Sequence, residues 1–284
     1  MNRKNKLFKK YFFWSQKFYL PLVLIFIFPI LICCLIGKSL TLVEVEKISN
    51  TNFFTRAIFE IIPDNSNATY IVLYVLISTS LLMIFRKKNA ERTFNDGHSV
   101  YLHNCYKRLW IAANLLGYRK LQLIGVSIPM QFELINNGVF SEFISESSVV
   151  QYDEFKGEII VEYLIENKKN KVVNLLVCYT YDIPIEKLAP DYLENTTVKI
   201  SSQRNYSGNR YNNPLLVSTV REEVQKIVNT YNEVNLFMTT NPLNTQGIVG
   251  KAFLTLDRSG FDKVSVIQMD DTKIYKAPFV IYEN

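Results

Sequence analysis

The sequence contains little histidine, cysteine or glycine, with 2 His, 4 Cys and 10 Gly in 284 residues. Because both histidines precede the C-terminal half, a Ser-His-Asp or Cys-His catalytic site is not expected in the C-terminal third. It has no CxxC pair, no Walker motif and no GxGxxG loop after a strand. His98, His103 and Cys105 lie close together but match no standard zinc spacing. These absences favour a binding protein over an enzyme, and neither a metal nor a cofactor is expected.

Charge is absent from two long segments, residues 18–37 and 68–85. At about 1.5 Å per residue, each is about long enough to cross the roughly 30 Å hydrocarbon core of a membrane. The first segment is longer than the hydrophobic core of a signal peptide, and no small-residue cleavage site follows it. The sequence therefore predicts two retained transmembrane helices, the first kinked at Pro29.

Basic residues flank both predicted spans on one side of the membrane. Six Lys/Arg and no acid precede the first span, and four more lie within residues 86–92. The connection 38–67 has three Lys/Arg against four Asp/Glu. The positive-inside rule therefore places the N-terminus and the large C-terminal domain in the cytoplasm. Within the connection, residues 53–62 predict either a short interfacial helix or an ordinary hydrophobic turn.

The net charge of +6 comes entirely from the first third of the chain. Residues 1–88 hold 12 Lys/Arg and 4 Asp/Glu, whereas residues 89–284 hold 20 and 22. The larger part is therefore close to neutral, which argues against a broad DNA-binding surface. Any anion that it binds is expected in a local pocket.

Residues 89–284 alternate between helical and strand-like patterns. Asn213 and Pro214 have the residue types of a helix N-cap and first turn. The nearly continuous apolar run 172–181 is typical of a strand buried on both faces. Helices are predicted at 102–116, 214–231 and 245–256, and strands at 121–128, 158–165, 172–181, 233–239, 263–269 and 277–282. This alternation predicts a Rossmann-like α/β sheet.

The chain is accordingly divided into three predicted parts. Residues 1–88 form a basic N-terminal segment with two transmembrane helices, 89–119 a linker helix, and 120–284 a ligand-binding domain. Polar residues follow several of the predicted strands, and ligands of open α/β sheets bind beyond the carboxyl ends of the strands. The run 239–247 also opens a helix, where free N–H groups would favour a phosphate. Each strand end alone could be ordinary loop chemistry, but together they predict a site.

The last third has a recognisable pattern of an apolar strand, a proline, a helix with a glycine, a second strand and a tyrosine. It consists of 234–242, Gly250, 264–268 and Tyr275. This pattern resembles the C-terminal half of a SAVED domain, the cyclic-oligonucleotide sensor of bacterial CBASS antiphage systems, and 175–184 resembles the strand of the first half. Ile248 and Val249 stand where that family commonly has an alanine. With two membrane spans in place of a nuclease or protease, the arrangement resembles the two-TM SAVED effectors of CBASS.

That resemblance implies a membrane α-helical hairpin joined to a cytoplasmic α/β domain of two fused CARF-like, Rossmann-like halves. It also implies a cyclic di-, tri- or tetranucleotide ligand, made by a partner nucleotidyltransferase. The liganded protein would form a homo-oligomer that disrupts or forms pores in the bacterial inner membrane, causing abortive infection. DNA is not an expected partner, and the chain is not expected to be an enzyme.

The expected ligand contacts lie at the strand ends and in one loop. Tyr181 would stack on a base, and residues at the start of the predicted helix would contact phosphate or base. Arg204 and Arg210 could close over the phosphates, although the loop 201–213 could equally be a solvated surface excursion. The full set is Thr180, Tyr181, Arg204, Arg210, Thr239, Thr240, Asn241, Gln246, Gln268, Lys273 and Tyr275.

Two alternatives remain open from the sequence. The cytoplasmic domain could be a membrane-tethered protein-interaction scaffold that binds no nucleotide. A ring-nuclease-like activity on a bound nucleotide would need few residues and is harder to exclude than other hydrolases.

Overall fold

A computed structural model of the chain describes residues 3–36, 66–97, 100–145, 157–167, 169–202, 211–254 and 260–283. These residues form two compact units. The first contains residues 3–94 and 107–120, and the second contains 95–106 and 121–283, each within the described ranges. The predicted division into residues 1–88, 89–119 and 120–284 stays a prediction. The predicted short helix at 53–62 lies outside the described residues.

The first unit begins with an interrupted apolar helix. It runs through α1 (Arg3–Trp14), a π-helical turn (Ser15–Tyr19), α2 (Leu20–Phe26) and α3 (Phe28–Ile36). The π-helical turn precedes Pro21, which has no N–H to donate, and the Leu20 amide bonds the Ser15 carbonyl five residues back. The second interruption is at Ile27, two residues before Pro29, which also has no amide hydrogen.

The second long helix, α4 (Ser66–Ala90), packs against α2 and α3 as a hairpin. Two stretches are long and apolar enough to cross a membrane, Leu7–Leu35 and Tyr70–Ala90. Both are mostly exposed, unlike a core helix of a soluble protein. The structure therefore has the predicted apolar hairpin. The first candidate span begins at residue 7 instead of 18, and the second ends at residue 90 instead of 85.

The end of α4 is fastened to α5 (Tyr106–Asn114) within the first unit. Arg86 donates to the carbonyls of Asn114 and Leu115, and the Asn89 amide donates to the Leu116 carbonyl at 2.9 Å. These carbonyls lie at the end of α5 or just after it, where a helix leaves its last C=O groups unpaired.

The polypeptide then reverses at Gly117, whose φ of +81° suits glycine. A Cβ at Gly117 would lie 2.7 Å from the Arg86 Cα, so the two backbones are in close contact. The joint between α4 and α5 therefore depends on the absence of a side chain at this position.

An aromatic cluster surrounds the same joint. Phe94 is fully buried, and its ring lies 5.3 Å from that of Phe13 and 5.1 Å from that of Tyr118. The Arg108 guanidinium lies 5.1 Å from the centroid of the Trp14 ring, a cation–π geometry. The cluster thus connects α1, the segment after α4, and α5 in one packed group.

The second unit begins with a small ladder and one helix. Strands β1 (Lys120–Gln122) and β2 (Glu142–Ile144) pair on either side of α6 (Ile128–Asn136). The predicted strand 121–128 is wrong after residue 122. Gly125 takes a φ of +79° and turns the chain, and Pro129 then occupies the first turn of α6.

The larger sheet contains six strands in the order β3-β5-β4-β6-β7-β8. Its strands are β3 (Ile159–Ile165), β4 (Val172–Cys178), β5 (Thr196–Ser202), β6 (Glu233–Thr239), β7 (Lys263–Met269) and β8 (Tyr275–Glu283). The four central strands are parallel, and β3 and β8 pair antiparallel at the edges. Strand β4 lies between β5 and β6 and is almost wholly buried, which confirms the burial predicted for it.

Three helices belong to this sheet region, α7 (Pro190–Leu193), α8 (Pro214–Ile227) and α9 (Pro242–Ile248). A π-helical turn, Val249–Phe253, extends α9. The mixed α/β class and the apolar helix hairpin are therefore as predicted. Among the described residues, the second unit combines one six-stranded sheet with one two-stranded ladder. The strands that the resemblance assigns to separate halves, β4 and β6, are neighbours in the six-stranded sheet.

Candidate functional site

The carboxyl ends of β4 and β6 lie side by side and are joined by hydrogen bonds. Cys178 pairs with Thr239 in the parallel register, and the Thr180 amide donates to the Thr239 carbonyl at 2.6 Å. The Thr239 hydroxyl donates to the Tyr181 carbonyl and accepts from the Tyr179 amide at 3.3 Å. The turn after β4 is therefore held in place by one threonine at the end of β6.

A cavity of about 350 Å³ lies beyond these strand ends. This volume is within the range of about 300–1,000 Å³ that is usual for small-molecule sites. Six of the predicted ligand contacts line it: Thr180, Tyr181, Thr239, Thr240, Asn241 and Gln268. The structure thus brings together residues from three separate strand ends.

The opposite wall comes from the first part of the second unit and was missed by the sequence analysis. It consists of Tyr101, Ile124, Gly125, Val126, Ile128 and Gln131. The sequence predicts a strand over 121–128 and a helix over 102–116, and neither prediction brings these residues to the site. Glycine followed by Ser127-Ile128-Pro129 is the signal that could have indicated a turn and a helix start here.

A second cavity of about 260 Å³ shares four lining residues with the first. The shared residues are Tyr101, Ile128, Met238 and Gln268. Tyr275 lines this second cavity, with its ring 5.9 Å from Phe237 in the core. Burial raises the pKa of Tyr275, so its phenol stays protonated at neutral pH.

Two tyrosine rings are exposed at the first cavity. Tyr101 is 58% exposed and Tyr181 is 62% exposed, although both line it. Exposed aromatic side chains at a cavity can stack on nucleobases, because every base has a π-face. None of the described lining residues of this cavity carries a charge. Its composition therefore suits a neutral flat group better than an isolated phosphate.

The threonine hydroxyls predicted to bind phosphate are engaged within the protein. The Thr245 hydroxyl donates to the Asn241 carbonyl at 2.9 Å, so in the 2.7 Å contact between Thr240 and Thr245 the Thr240 hydroxyl is the donor. The Thr239 hydroxyl proton is engaged with the Tyr181 carbonyl. These two threonines shape the wall of the cavity through their own hydrogen bonds.

The Asn241 side chain also has partners at both ends. Its oxygen accepts from the Asn244 amide at 2.9 Å as the N-cap of α9, and its nitrogen donates to the Tyr211 carbonyl at 2.8 Å. Asn244 donates to the same Tyr211 carbonyl and accepts from the Asn213 amide. Asn213 is itself the predicted N-cap of α8, where its side chain accepts from the Leu216 amide. The three asparagines fasten the starts of α8 and α9 to each other.

Gln131 is the buried polar residue of the opposite wall and is only 3% exposed. Its side-chain nitrogen donates to the Val126 carbonyl at 2.8 Å and to the Leu123 carbonyl at 3.3 Å. Its side-chain oxygen has no hydrogen-bond partner among the residues that the structure describes.

Two predicted contacts line neither cavity, and two others lie outside the described residues. Gln246 is half-buried on α9 and lines neither of them. Lys273 is exposed in the turn between β7 and β8, with a φ of +62° and its amide bonded to the Asp270 carbonyl. Arg204 and Arg210 lie outside the described residues.

Comparison with known structures finds receptors with a SAVED/CARF domain. The Cap4 receptor of Acinetobacter baumannii with the cyclic trinucleotide 2′3′3′-cAAA matches at 9% identity and a TM-score of 0.44, over 84% of this chain and 64% of that one. The same receptor with 3′3′3′-cAAA matches at 10% identity and a TM-score of 0.42, over 84% of this chain and 65% of that one. The Cap4 receptor of Moraxella osloensis matches at 8% identity and a TM-score of 0.37, over 84% of this chain and 63% of that one. The chain thus spans just under two-thirds of the length of these receptors.

Comparison with protein families gives a match over nearly the whole sequence. No curated protein matches the chain. The model of the SMODS- and Ubiquitin system-associated 2TM effector domain matches residues 3–281 and so includes both candidate spans and all but the last two residues of the six-stranded sheet. The chain belongs to this family of two-transmembrane effectors.

Proposed function

We propose that this protein is an antiphage membrane effector whose cytoplasmic domain binds a cyclic oligonucleotide. A partner nucleotidyltransferase would make the ligand, a cyclic di-, tri- or tetranucleotide. The N-terminus and the sheet domain would lie in the cytoplasm, and the hairpin in the bacterial inner membrane. Liganded copies would form a homo-oligomer whose clustered hairpins breach that membrane and end the infection of the cell.

The observation that carries this proposal is the cavity at the carboxyl ends of β4, β6 and β7. Six residues expected from sequence to contact a nucleotide line it, and two exposed tyrosine rings offer stacking surfaces. Its position beyond the ends of parallel strands is the usual ligand position in α/β sheets. Membership of a 2TM effector family supports the membrane output.

The described site offers binding groups and lacks a catalytic pair. Neither lining set contains a histidine, a carboxylate or a cysteine that could act as base or nucleophile. We therefore propose a receptor that is not an enzyme. Incubation of the protein with a cyclic oligonucleotide, followed by chromatography, checks this point. The appearance of linear products would show that the protein cleaves its ligand as a ring nuclease, and would contradict this part of the proposal.

Assembly requires that the ligand prefer the assembled state. A ligand shifts a conformational equilibrium only by its difference in affinity for the two states. A nucleotide that bridges neighbouring domains would have such a difference. Because the segments 18–37 and 68–85 contain no charged residue, clustering of several hairpins, and not a charged pore lining, is the proposed route to leakage.

Thermal melting of the detergent-solubilised chain with a panel of cyclic and linear oligonucleotides tests the binding step. A ligand at about 100 times its Kd adds roughly 2.7 kcal/mol of stability, which is a readily measured shift. We expect one cyclic oligonucleotide to raise the melting temperature and its linear analogue to leave it unchanged. A panel without any shift would favour the tethered protein-interaction scaffold.

A further inference from the structure

Tyr101, which lines both cavities, lies in a short extended segment that is paired with the cavity wall. The Leu102 amide donates to the Gly125 carbonyl at 2.7 Å, and the Ser127 amide donates to the Leu102 carbonyl at 3.0 Å. The Leu102 side chain is buried, with only 1% of its surface exposed. Because successive side chains of an extended segment point to opposite sides, Tyr101 and His103 lie together on the side opposite Leu102.

The rings of Tyr101 and His103 are stacked on each other. Their centroids are 5.6 Å apart and their planes differ by 29°, which is an offset and nearly parallel arrangement. His103 is exposed and lines neither cavity. Backbone atoms supply only a minor part of the surface of a tyrosine, so the 58% exposure of Tyr101 leaves much of its ring accessible beside this contact.

A stacked neighbour restricts the conformation of an exposed aromatic side chain. Such a side chain otherwise has several staggered rotamers, and a ligand that stacks on it must select one of them. Immobilising a side chain on binding reduces affinity, whereas a side chain that is already held avoids this cost. The attraction between stacked rings favours the rotamer that makes the contact, so His103 favours one orientation of the Tyr101 ring.

We propose that His103 is a positioning residue, whose imidazole holds the Tyr101 ring in the orientation that stacks on a base of the ligand. This inference rests on the proposed nucleotide-binding function and names Tyr101 as the stacking ring that is ordered before the ligand binds. The role requires the flat surface of the imidazole and not its charge or its hydrogen bonds. Phenylalanine at position 103 should therefore replace histidine, and alanine should not.

Isothermal titration of the full chain in detergent tests the proposal in a double-mutant cycle. The probes are 3′3′3′-cAAA, cyclic di-AMP and cyclic tetra-AMP, and the ring that binds the wild-type protein most tightly is used for the variants. His103→Ala is expected to bind this ring about 2- to 12-fold more weakly, the contribution of one aromatic pair. His103→Phe is expected to bind like the wild type. In a Tyr101→Ala protein, His103→Ala is expected to cause no further loss of affinity.

Tyr181 supplies the matched control for this cycle. It is the other exposed ring at the first cavity, but it follows β4, and its carbonyl is held by the Thr239 hydroxyl. In a Tyr181→Ala protein, His103→Ala is therefore expected to cause the same loss as in the wild type. The inference is overturned if His103→Ala binds like the wild type, or if His103→Phe binds as weakly as His103→Ala. It is also overturned if the loss persists in the Tyr101→Ala protein.

A measurement without ligand separates the failure of this inference from the failure of the proposed function. Fluorotyrosine placed at position 101 reports on the neighbouring ring of His103 through its fluorine chemical shift. The shift is expected to move toward that of the free amino acid in His103→Ala and to stay displaced in His103→Phe. An unchanged shift in His103→Ala overturns the inference even where a cyclic oligonucleotide binds. If none binds the wild-type protein, the receptor function is overturned, and the fluorine shift decides whether His103 orders Tyr101.

Discussion

The backbone amide of Thr180 donates a 2.6 Å hydrogen bond to the carbonyl of Thr239, and so joins the ends of two parallel strands at the edge of the cavity. The Thr239 hydroxyl adds a bond to the Tyr181 carbonyl. The position of Tyr181, one of the two exposed rings of the site, therefore depends on a residue of the neighbouring strand. This dependence makes Thr239 testable as a positioning residue.

Thr239→Val removes the hydroxyl while keeping the branched shape of the side chain. Each hydrogen bond lost inside a protein costs about 1 kcal/mol, and here the bonds order the turn that carries Tyr181. Ligand affinity is expected to fall by roughly tenfold in calorimetry, with little change in the enthalpy of unfolding. Thr230→Val, on an exposed turn, is the matched control. Unchanged affinity in Thr239→Val would show that the turn is held without this hydroxyl.

Tyr181→Ala removes one proposed stacking surface. Base–aromatic stacking contributes about 1–3 kcal/mol, so affinity for a cyclic oligonucleotide is expected to fall roughly 5- to 150-fold. Tyr181→Phe keeps the ring and is expected to bind like the wild type. Because Tyr181 is 62% exposed, neither change is expected to lower the melting temperature appreciably. Wild-type affinity in the alanine variant would remove Tyr181 from the site.

Asn241→Ala is expected to lower stability more than it lowers affinity. The substitution removes the N-cap of α9 and the bond to the Tyr211 carbonyl. Loss of an asparagine cap typically costs about 0.5–2 kcal/mol, measurable by chemical denaturation. Asn241→Ser restores a capping oxygen but not the nitrogen that donates to the Tyr211 carbonyl. The stability of the serine variant should therefore lie between that of the wild type and that of Asn241→Ala. If serine and alanine are equally destabilising, the cap contributes nothing here.

Gly117→Ala tests the joint between the second span and α5. The added methyl group would lie 2.7 Å from the Arg86 Cα, at a φ of +81°. Gly138→Ala is a matched control, because Gly138 also has a positive φ but nothing lies within 4 Å of its added Cβ. We expect Gly117→Ala to reduce ligand-induced dye release from liposomes while ligand affinity stays unchanged. Equal dye release by the two variants would show that the joint does not transmit the signal.

The buried thiol of Cys178 gives a prediction about pH. Burial raises the pKa of Cys178 to about 12, whereas an unfolded cysteine has a pKa of about 8.5. As the pH rises, the Cys178 thiol loses its proton in the unfolded state before it does in the folded state. The contribution of the buried neutral thiol to folding stability is therefore fully present below about pH 8.5. It then falls by about 1.4 kcal/mol per pH unit toward pH 12. Denaturation midpoints between pH 8 and 10 are expected to fall more steeply in wild type than in Cys178→Ala. Equal slopes of the denaturation midpoint against pH in the two proteins would contradict this prediction.

Strands with clear boundaries could be predicted from sequence to the residue. β6 and β7 have the predicted bounds, 233–239 and 263–269, because each apolar run is flanked by polar residues. Asn213 is the N-cap of α8, as predicted, whereas α9 begins at Pro242, three residues earlier than predicted, with Asn241 as its N-cap. Local sequence patterns were sufficient for the two strands and for the start of α8, but not for the start of α9.

The opposite wall of the site could not be predicted in the same way. The apolar run 121–128 hides a turn at Gly125, and only the tertiary structure brings Gln131 to the ends of β4 and β6. Lys273 was expected at the site because it follows β7. The Asp270 carboxylate instead bonds the Thr272 amide, and a tight turn places Lys273 in solvent. Side-chain hydrogen bonding within a turn decides such positions.

Dye release from liposomes containing the full chain tests the central claim most directly. Cyclic oligonucleotides and their linear analogues are added at saturating concentration, and leakage is followed by fluorescence while assembly is followed by crosslinking. The account predicts that one cyclic oligonucleotide triggers assembly and leakage together, that its linear analogue triggers neither, and that Tyr181→Ala needs more ligand for the same effect. A ligand-saturated protein that neither assembles nor releases dye would contradict the account.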